Sequence, residues 1–136
     1  MATSKVTYLG ELRTRAVHIQ SGNALITDAP ADNQGKGEAF SPTDLLATSL
    51  ASCMMTIIGI AAQNHQIKLG RFTAEVTKIM ASDPRRVAGI HILMQFTDGE
   101  NYSEKERKIL ERAALTCPVM YSLHPDIEKK LDMVWE

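Results

Sequence analysis

Residues 41–62 read Ser41-Pro42-Thr43-Asp44-Leu45-Leu46-Ala47-Thr48-Ser49-Leu50-Ala51-Ser52-Cys53-Met54-Met55-Thr56-Ile57-Ile58-Gly59-Ile60-Ala61-Ala62, and they decide the architecture. Ser41 is an N-cap residue, Pro42 suits the first helical position, and Asp44 completes a capping-box-like pair with Ser41. Phe40 against Leu45 would form a hydrophobic staple. From Leu45 to Ala62 there is no charge, and apolar residues occupy nearly the whole circumference, so the helix needs cover on every side. The run reaches the minimum length of a membrane span. Thr48, Ser49, Ser52, Thr56 and Gly59 dilute it, however, and no basic or aromatic anchors flank it, so a membrane is not expected as a partner.

Outward from this helix the pattern is strand-rich. Val6 and Tyr8 alternate with Thr7 and Leu9, Arg13, Arg15, Val17 and Ile19 share one face, and Ser21-Gly22-Asn23 turns the chain into Ala24–Thr27. Residues 28–39 lose all periodicity and read as a loop. Its Gly35-Lys36-Gly37 lacks the Walker spacing of a phosphate cradle. Beyond the helix, Phe72, Ala74 and Val76 and then Ile90, Ile92, Met94 and Phe96 predict a second antiparallel pair. Ser103-Glu104-Lys105-Glu106 is a capping box opening an amphipathic helix striped by Ile109, Leu110, Ala113 and Ala114. Pro118 starts a short helix, and Leu131, Met133 and Trp135 alternate as a closing strand, although residues 127–132 would also tolerate helix. The expected class is α+β, with antiparallel sheet on a long buried helix, in a single domain over residues 1–136.

The chain has 136 residues, 15 Lys plus Arg against 16 Asp plus Glu, and a formal charge of −1. No basic stripe is present, so nucleic acid is not an expected partner. The first ten residues lack a secretory signal pattern, which makes the reducing cytoplasm the expected compartment. A chain this small has one sheet's worth of strands for its helix. A second copy covering the remainder predicts a homodimer.

Two residues dominate the chemistry. Cys53 lies about three turns into the helix, on the line of Leu46, Leu50 and Ile57, where the terminal dipole has faded. Taken alone it reads more often as a core residue than as a nucleophile; a thiolate there needs a cation, and Arg13 and Arg15 are the candidates. Cys117, preceding Pro118, sits at a predicted helix N-cap where backbone N–H groups favour an anion. By local physics it is the better thiolate candidate. Their spacing is not that of a zinc site, and no metal is expected. His18, His65, His91 and His124 are scattered, giving a Cys-His hydrolase little support.

The run Ser41–Cys53, followed after a strand pair and a helix by Thr116-Cys117-Pro118-Val119, resembles the OsmC/Ohr family of osmotically inducible and organic-hydroperoxide-resistance proteins, over essentially the whole chain. The resemblance implies an intertwined homodimer with sheets wrapped around two central helices. It also implies a thiol peroxidase acting on organic hydroperoxides, with Cys53 as the peroxidatic thiolate and Cys117 condensing with its sulfenic acid. The disulfide is then reduced by an external dithiol, in family members often on a lipoylated protein, and no bound cofactor is required.

An N-terminal arginine stabilises the thiolate in the family, and register assigns Arg13 or Arg15 to it, with Arg13 preferred. This chain departs from the pattern where peroxidases commonly show Asn-Pro-Glu: it has Ser41-Pro42-Thr43. Asp44 points about 100° away around the helix, which leaves Asp28 or Asp32 to orient the arginine. The departure marks a divergent branch. The rival expectation is a non-catalytic dimer that binds a small apolar or thiol-containing ligand, with both cysteines structural.

Overall fold

The computed structural model describes every residue from Met1 to Glu136, and its packing separates two compact units, Met1–Leu46 and Ala47–Glu136. In the first unit, β1 (Ser4–Gly10), β2 (Arg13–His18) and β3 (Ala24–Asp28) form an antiparallel sheet in sequence order. Gly10, Glu11 and Leu12 all take positive φ at the β1–β2 connection, the backbone that a tight hairpin between right-twisted strands requires. The β2–β3 register sets Arg13 opposite Asp28 and Arg15 opposite Ile26. Because side chains alternate across a strand, this register decides which arginine meets a carboxylate.

Helix α1 (Pro42–Asn64) begins as its sequence predicts. Asp44 N–H donates to Ser41 Oγ at 3.0 Å, and Ser41 N–H donates to Asp44 Oδ2 at 3.0 Å. This reciprocal pair satisfies two backbone donors that a helix start otherwise orphans. Phe40 is 53% exposed and gives little of the cover expected of a staple.

In the second unit, β4 (Phe72–Ala81) pairs antiparallel with β5 (Arg86–Phe96), as expected. The closing strand β6 (Glu128–Trp135) corrects the all-antiparallel expectation: it runs parallel to β5. Parallel neighbours need a long crossover rather than a hairpin, and here α2 (Glu104–Ala114) and α3 (Pro118–Ser122) provide it. The register stacks Phe72, Phe96 and Trp135 side by side across the three strands, with ring centroids 4.4 Å and 4.0 Å apart. Tyr102 meets Phe96 edge-on, and the Arg107 guanidinium caps Trp135 at 5.3 Å.

The core of this unit is the face of α1 carrying Ala47, Leu50, Ala51, Met54, Ile58 and Ala62, together with Ile90, Ile92 and Met94 of β5 and Leu110 and Ala114 of α2. These α1 positions recur at three- and four-residue steps, so one helical stripe is covered. The other face is not covered by this chain, Leu46 being 39% and Ile60 48% exposed. By length and composition α1 would suffice to cross a membrane, a test that core helices also pass.

Candidate functional site

Within the second unit α1 presents Cys53 half-buried, and the turn after α2 presents Cys117 fully buried; both are free thiols. The two thiols are near enough for each to affect the other's ionisation. Pro118 does start α3, leaving Cys117 as its N-cap residue, and Met120 N–H donates to Cys117 Sγ at 3.3 Å.

The structure corrects the expectation that this cap makes Cys117 the better thiolate. Burial pushes the Cys117 thiol up, the N–H groups of Met120 and Val119 oppose that only in part, and the neighbouring Cys53 sulfur raises it further. Desolvation disfavours the anion by more than one short helical turn repays. Cys117 therefore favours its neutral, protonated form.

Within the first unit a second cluster forms around Arg13. Its Nε donates to Asp28 Oδ1 at 2.7 Å, and its Nη2 donates to Asp28 Oδ2 at 2.9 Å and to Glu38 Oε1 at 2.9 Å. Glu38 N–H also donates to Asp28 Oδ2, at 3.2 Å. Asp28 is only 1% exposed, and the Arg13 guanidinium, bonded through both oxygens, holds its carboxyl below the usual carboxylate range against the opposing effect of burial. Arg13 in turn holds its proton more firmly than a free guanidinium, chiefly through Asp28.

Of the two arginines, only Arg13 is built into such a cluster; Arg15 is exposed on the same strand. Of the two carboxylates suggested for orienting it, Asp28 does so, while Asp32 lies in a short 3-10 helix, Ala31–Asn33. Asp44 is part of the α1 cap. Glu38 was not legible from the sequence. Its only signal is a charge two residues beyond Lys36, whose Nζ lies 2.6 Å from Glu11 Oε2, in a stretch whose pairing depends on tertiary register.

Three of the four histidines are engaged elsewhere: His18 with Ser21, His91 with Glu128, and His124 in a turn where it accepts from Asp126 N–H. No group of three or more His, Cys, Asp or Glu side chains converges on a metal position. An apolar cleft of about 450 Å³ opens in the second unit along α1 and β4, lined by Ala51, Ser52, Met55, Thr56, Ala74 and Val76 among others. A hollow of about 580 Å³ in the first unit is lined by Val6, Ala16, Leu25 and Leu45 and other residues. Neither is lined by a cysteine.

The family model of OsmC-like proteins matches residues 35–132. A Psychrobacter arcticus structure, described as a candidate osmotic stress induced and detoxification response protein, is 62% identical, with 98% of this chain and 96% of that one covered and a TM-score of 0.92. An organic hydroperoxide resistance protein OsmC from Legionella pneumophila shares the fold at 20% identity, 98% coverage of both chains and TM-score 0.73. A candidate organic hydroperoxide resistance protein of Vibrio cholerae, with captopril bound in one active site, does so at 16% identity, TM-score 0.73, and 98% and 92% coverage. No curated protein matches the chain.

Proposed function

This chain belongs to the OsmC-like protein family, and from that premise we propose that it is a thiol-dependent peroxidase that reduces organic hydroperoxides in oxidative stress defence. The observation that carries this reading is the approach of the Cys53 and Cys117 sulfurs, one half-buried and one fully buried, within a single compact unit.

The Cys53 thiolate attacks the terminal oxygen of the hydroperoxide. The O–O bond breaks, Cys53 becomes a sulfenic acid, and the departing alkoxide takes a proton to leave as the alcohol. Cys117 sulfur then attacks Cys53 sulfur: an S–S bond forms, the S–O bond breaks, and the hydroxide leaves as water with the proton that Cys117 gives up. An external dithiol, such as that of a lipoylated protein, restores both thiols while becoming a disulfide itself. Nothing in this cycle calls for a metal or a bound organic cofactor. Arg13 supplies the fixed positive charge that favours the Cys53 thiolate, a role for which Arg15 is the weaker candidate.

A homodimer is part of the same proposal. The exposed face of α1 and the apolar hollows of both units are surfaces that a second copy would cover. Two free thiols are also consistent with the reducing cytoplasm.

The test is to mix the reduced protein with stoichiometric cumene hydroperoxide, or with hydrogen peroxide, in a stopped-flow instrument and to map the products by mass spectrometry. Rapid Cys53–Cys117 disulfide formation with the organic peroxide, and slower formation with hydrogen peroxide, is the expected result. Thiols that stay free under both oxidants would overturn the reading in favour of a non-catalytic dimer that binds a small apolar or thiol-containing ligand.

A further inference from the structure

Cys117 serves two structures with one sulfur. As the N-cap residue of α3 it accepts from Met120 N–H through Sγ at 3.3 Å, and as a thiol it lies near enough to Cys53 for each to affect the other's ionisation. α3 has five residues, far short of the length at which a helix holds without outside help. Its other ties are few. Leu123 N–H donates to Val119 C=O at 3.1 Å, Tyr121 N–H donates to Cys117 C=O at 3.4 Å, and Ser122 Oγ donates to Pro118 C=O at 2.8 Å. Val119, Met120 and Leu123 pack against the core, whereas Tyr121 is 73% exposed.

The cap and a disulfide make competing demands on that sulfur. Both thiols are free, so an S–S bond of about 2.05 Å, with a dihedral near about 90°, requires at least one sulfur to travel. Cys53 is carried inside a 23-residue helix whose start is capped and whose other face is buried, so the short α3 end is the one that yields. A Cys117 sulfur re-aimed at Cys53 no longer faces Met120 N–H, and α3 loses the bond that starts it. Access gives this loss a use, because Cys117 is fully buried in the reduced protein. A dithiol attacks one sulfur of a disulfide and expels the other, and expelling Cys117 would strand an anion where burial disfavours it. Attack on the Cys117 sulfur, with Cys53 leaving, avoids that penalty and requires Cys117 to become reachable.

We propose that forming the Cys53–Cys117 disulfide uncaps α3, so that the oxidised protein opens residues 118–123 and offers the Cys117 sulfur to its reductant, while the reduced protein keeps that segment closed. The inference rests on the reading of the two cysteines as a peroxidatic and resolving pair. The hydroperoxide is the oxidant, the S–S bond forms as water leaves, and the external dithiol later returns both electrons and both protons as it becomes a disulfide itself. Every group involved lies in the second unit.

The experiment is amide hydrogen exchange in the full-length protein, read by mass spectrometry on peptides covering residues 117–123. It compares the reduced protein, the protein oxidised with one equivalent of cumene hydroperoxide, and reduced Cys117→Ala and Cys117→Ser. Oxidation is expected to speed exchange in this segment about fivefold, the size of one lost cap. Reduced Cys117→Ala reproduces the rise without any oxidant, and Cys117→Ser, whose hydroxyl caps, stays close to the reduced wild type. A second measurement follows reduction of the preformed disulfide by dithiothreitol in Tyr121→Gly and Tyr121→Ala, which differ at an exposed position in helix propensity; the glycine variant is expected to be reduced about three- to fivefold faster. A disulfide that forms while residues 117–123 exchange no faster, or more slowly as a plain crosslink would make them, overturns the proposal and leaves the cysteine pair standing. Equal reduction rates in the two Tyr121 variants overturn the claim that opening α3 admits the reductant. If no disulfide forms, the peroxidase reading itself fails and takes the proposal with it.

Discussion

Arg13 stands opposite Asp28 across the β2–β3 ladder, and the two are joined through both oxygens of a carboxylate that is almost fully buried. Because the Arg13 bond holds the Asp28 carboxyl below its usual range, the folded state binds that proton more weakly than the unfolded chain does. The contribution to stability is therefore present above about pH 3.9, the unfolded value, and is lost as pH falls through the lower folded value. Thermal melts from pH 7 down to pH 2 should show the wild type losing Tm over that acid range. Asp28→Asn should melt lower at pH 7 and show a flatter acid limb. Parallel curves would mean that Arg13 gains nothing from this partner.

The thiol pair predicts an asymmetry between the two cysteine variants. Cys53→Ser should abolish dithiol-dependent turnover, since the remaining sulfur is buried and keeps its proton. Cys117→Ser should consume one hydroperoxide equivalent per subunit and then stall as a sulfenic acid that dimedone traps. Full turnover by Cys53→Ser would refute the assignment of the nucleophile.

Cys117 carries its own pH signature. Its thiol is raised mainly by burial and further by Cys53, so the folded reduced protein favours the neutral form. For a raised group, stability is fully present below the unfolded value, about pH 8.5, and is lost as pH rises through the folded one. Tm of the reduced protein should thus decline above about pH 8.5, and Cys117→Ala should remove that part of the decline. The disulfide-forming step should quicken with pH over the same range, because Cys117 attacks as its proton leaves.

What the sequence disclosed and what it hid divide along physical lines. The Ser41–Asp44 cap and the Ser103–Glu106 capping box are local devices, each written within four residues, and they stand where the sequence places them. The parallel direction of β6 was hidden because alternation sets which residues share a face and says nothing of strand direction. Cys117 misled because a helix start is visible in Cys-Pro, whereas the burial that outweighs it belongs to tertiary packing. Asp28 was one of two carboxylates the sequence offered for Arg13, and β2–β3 register selects it. Glu38 reaches the same guanidinium from a loop without periodicity, and only the folded chain places it there.

The exposed face of α1 makes the oligomeric prediction quantitative. Leu46 and Ile60 are both more than a third exposed on a helix without charge from Leu45 to Ala62, and seven-residue steps align them with Cys53 to within a drift of about 20° per step. A surface of this kind on one chain is stable in water only when covered. In a two-fold assembly each position is buried twice, so a carboxylate at either site forfeits the burial of both copies and must itself be desolvated. At about 1.5–3 kcal/mol for each apolar side chain buried, Leu46→Glu with Ile60→Glu should weaken association at least about 100-fold. Sedimentation velocity at low micromolar concentration should find the wild type as a dimer and the double variant as a monomer. A wild type that sediments as a monomer across that range would overturn the proposed assembly, and α1 would then need a different partner to cover it.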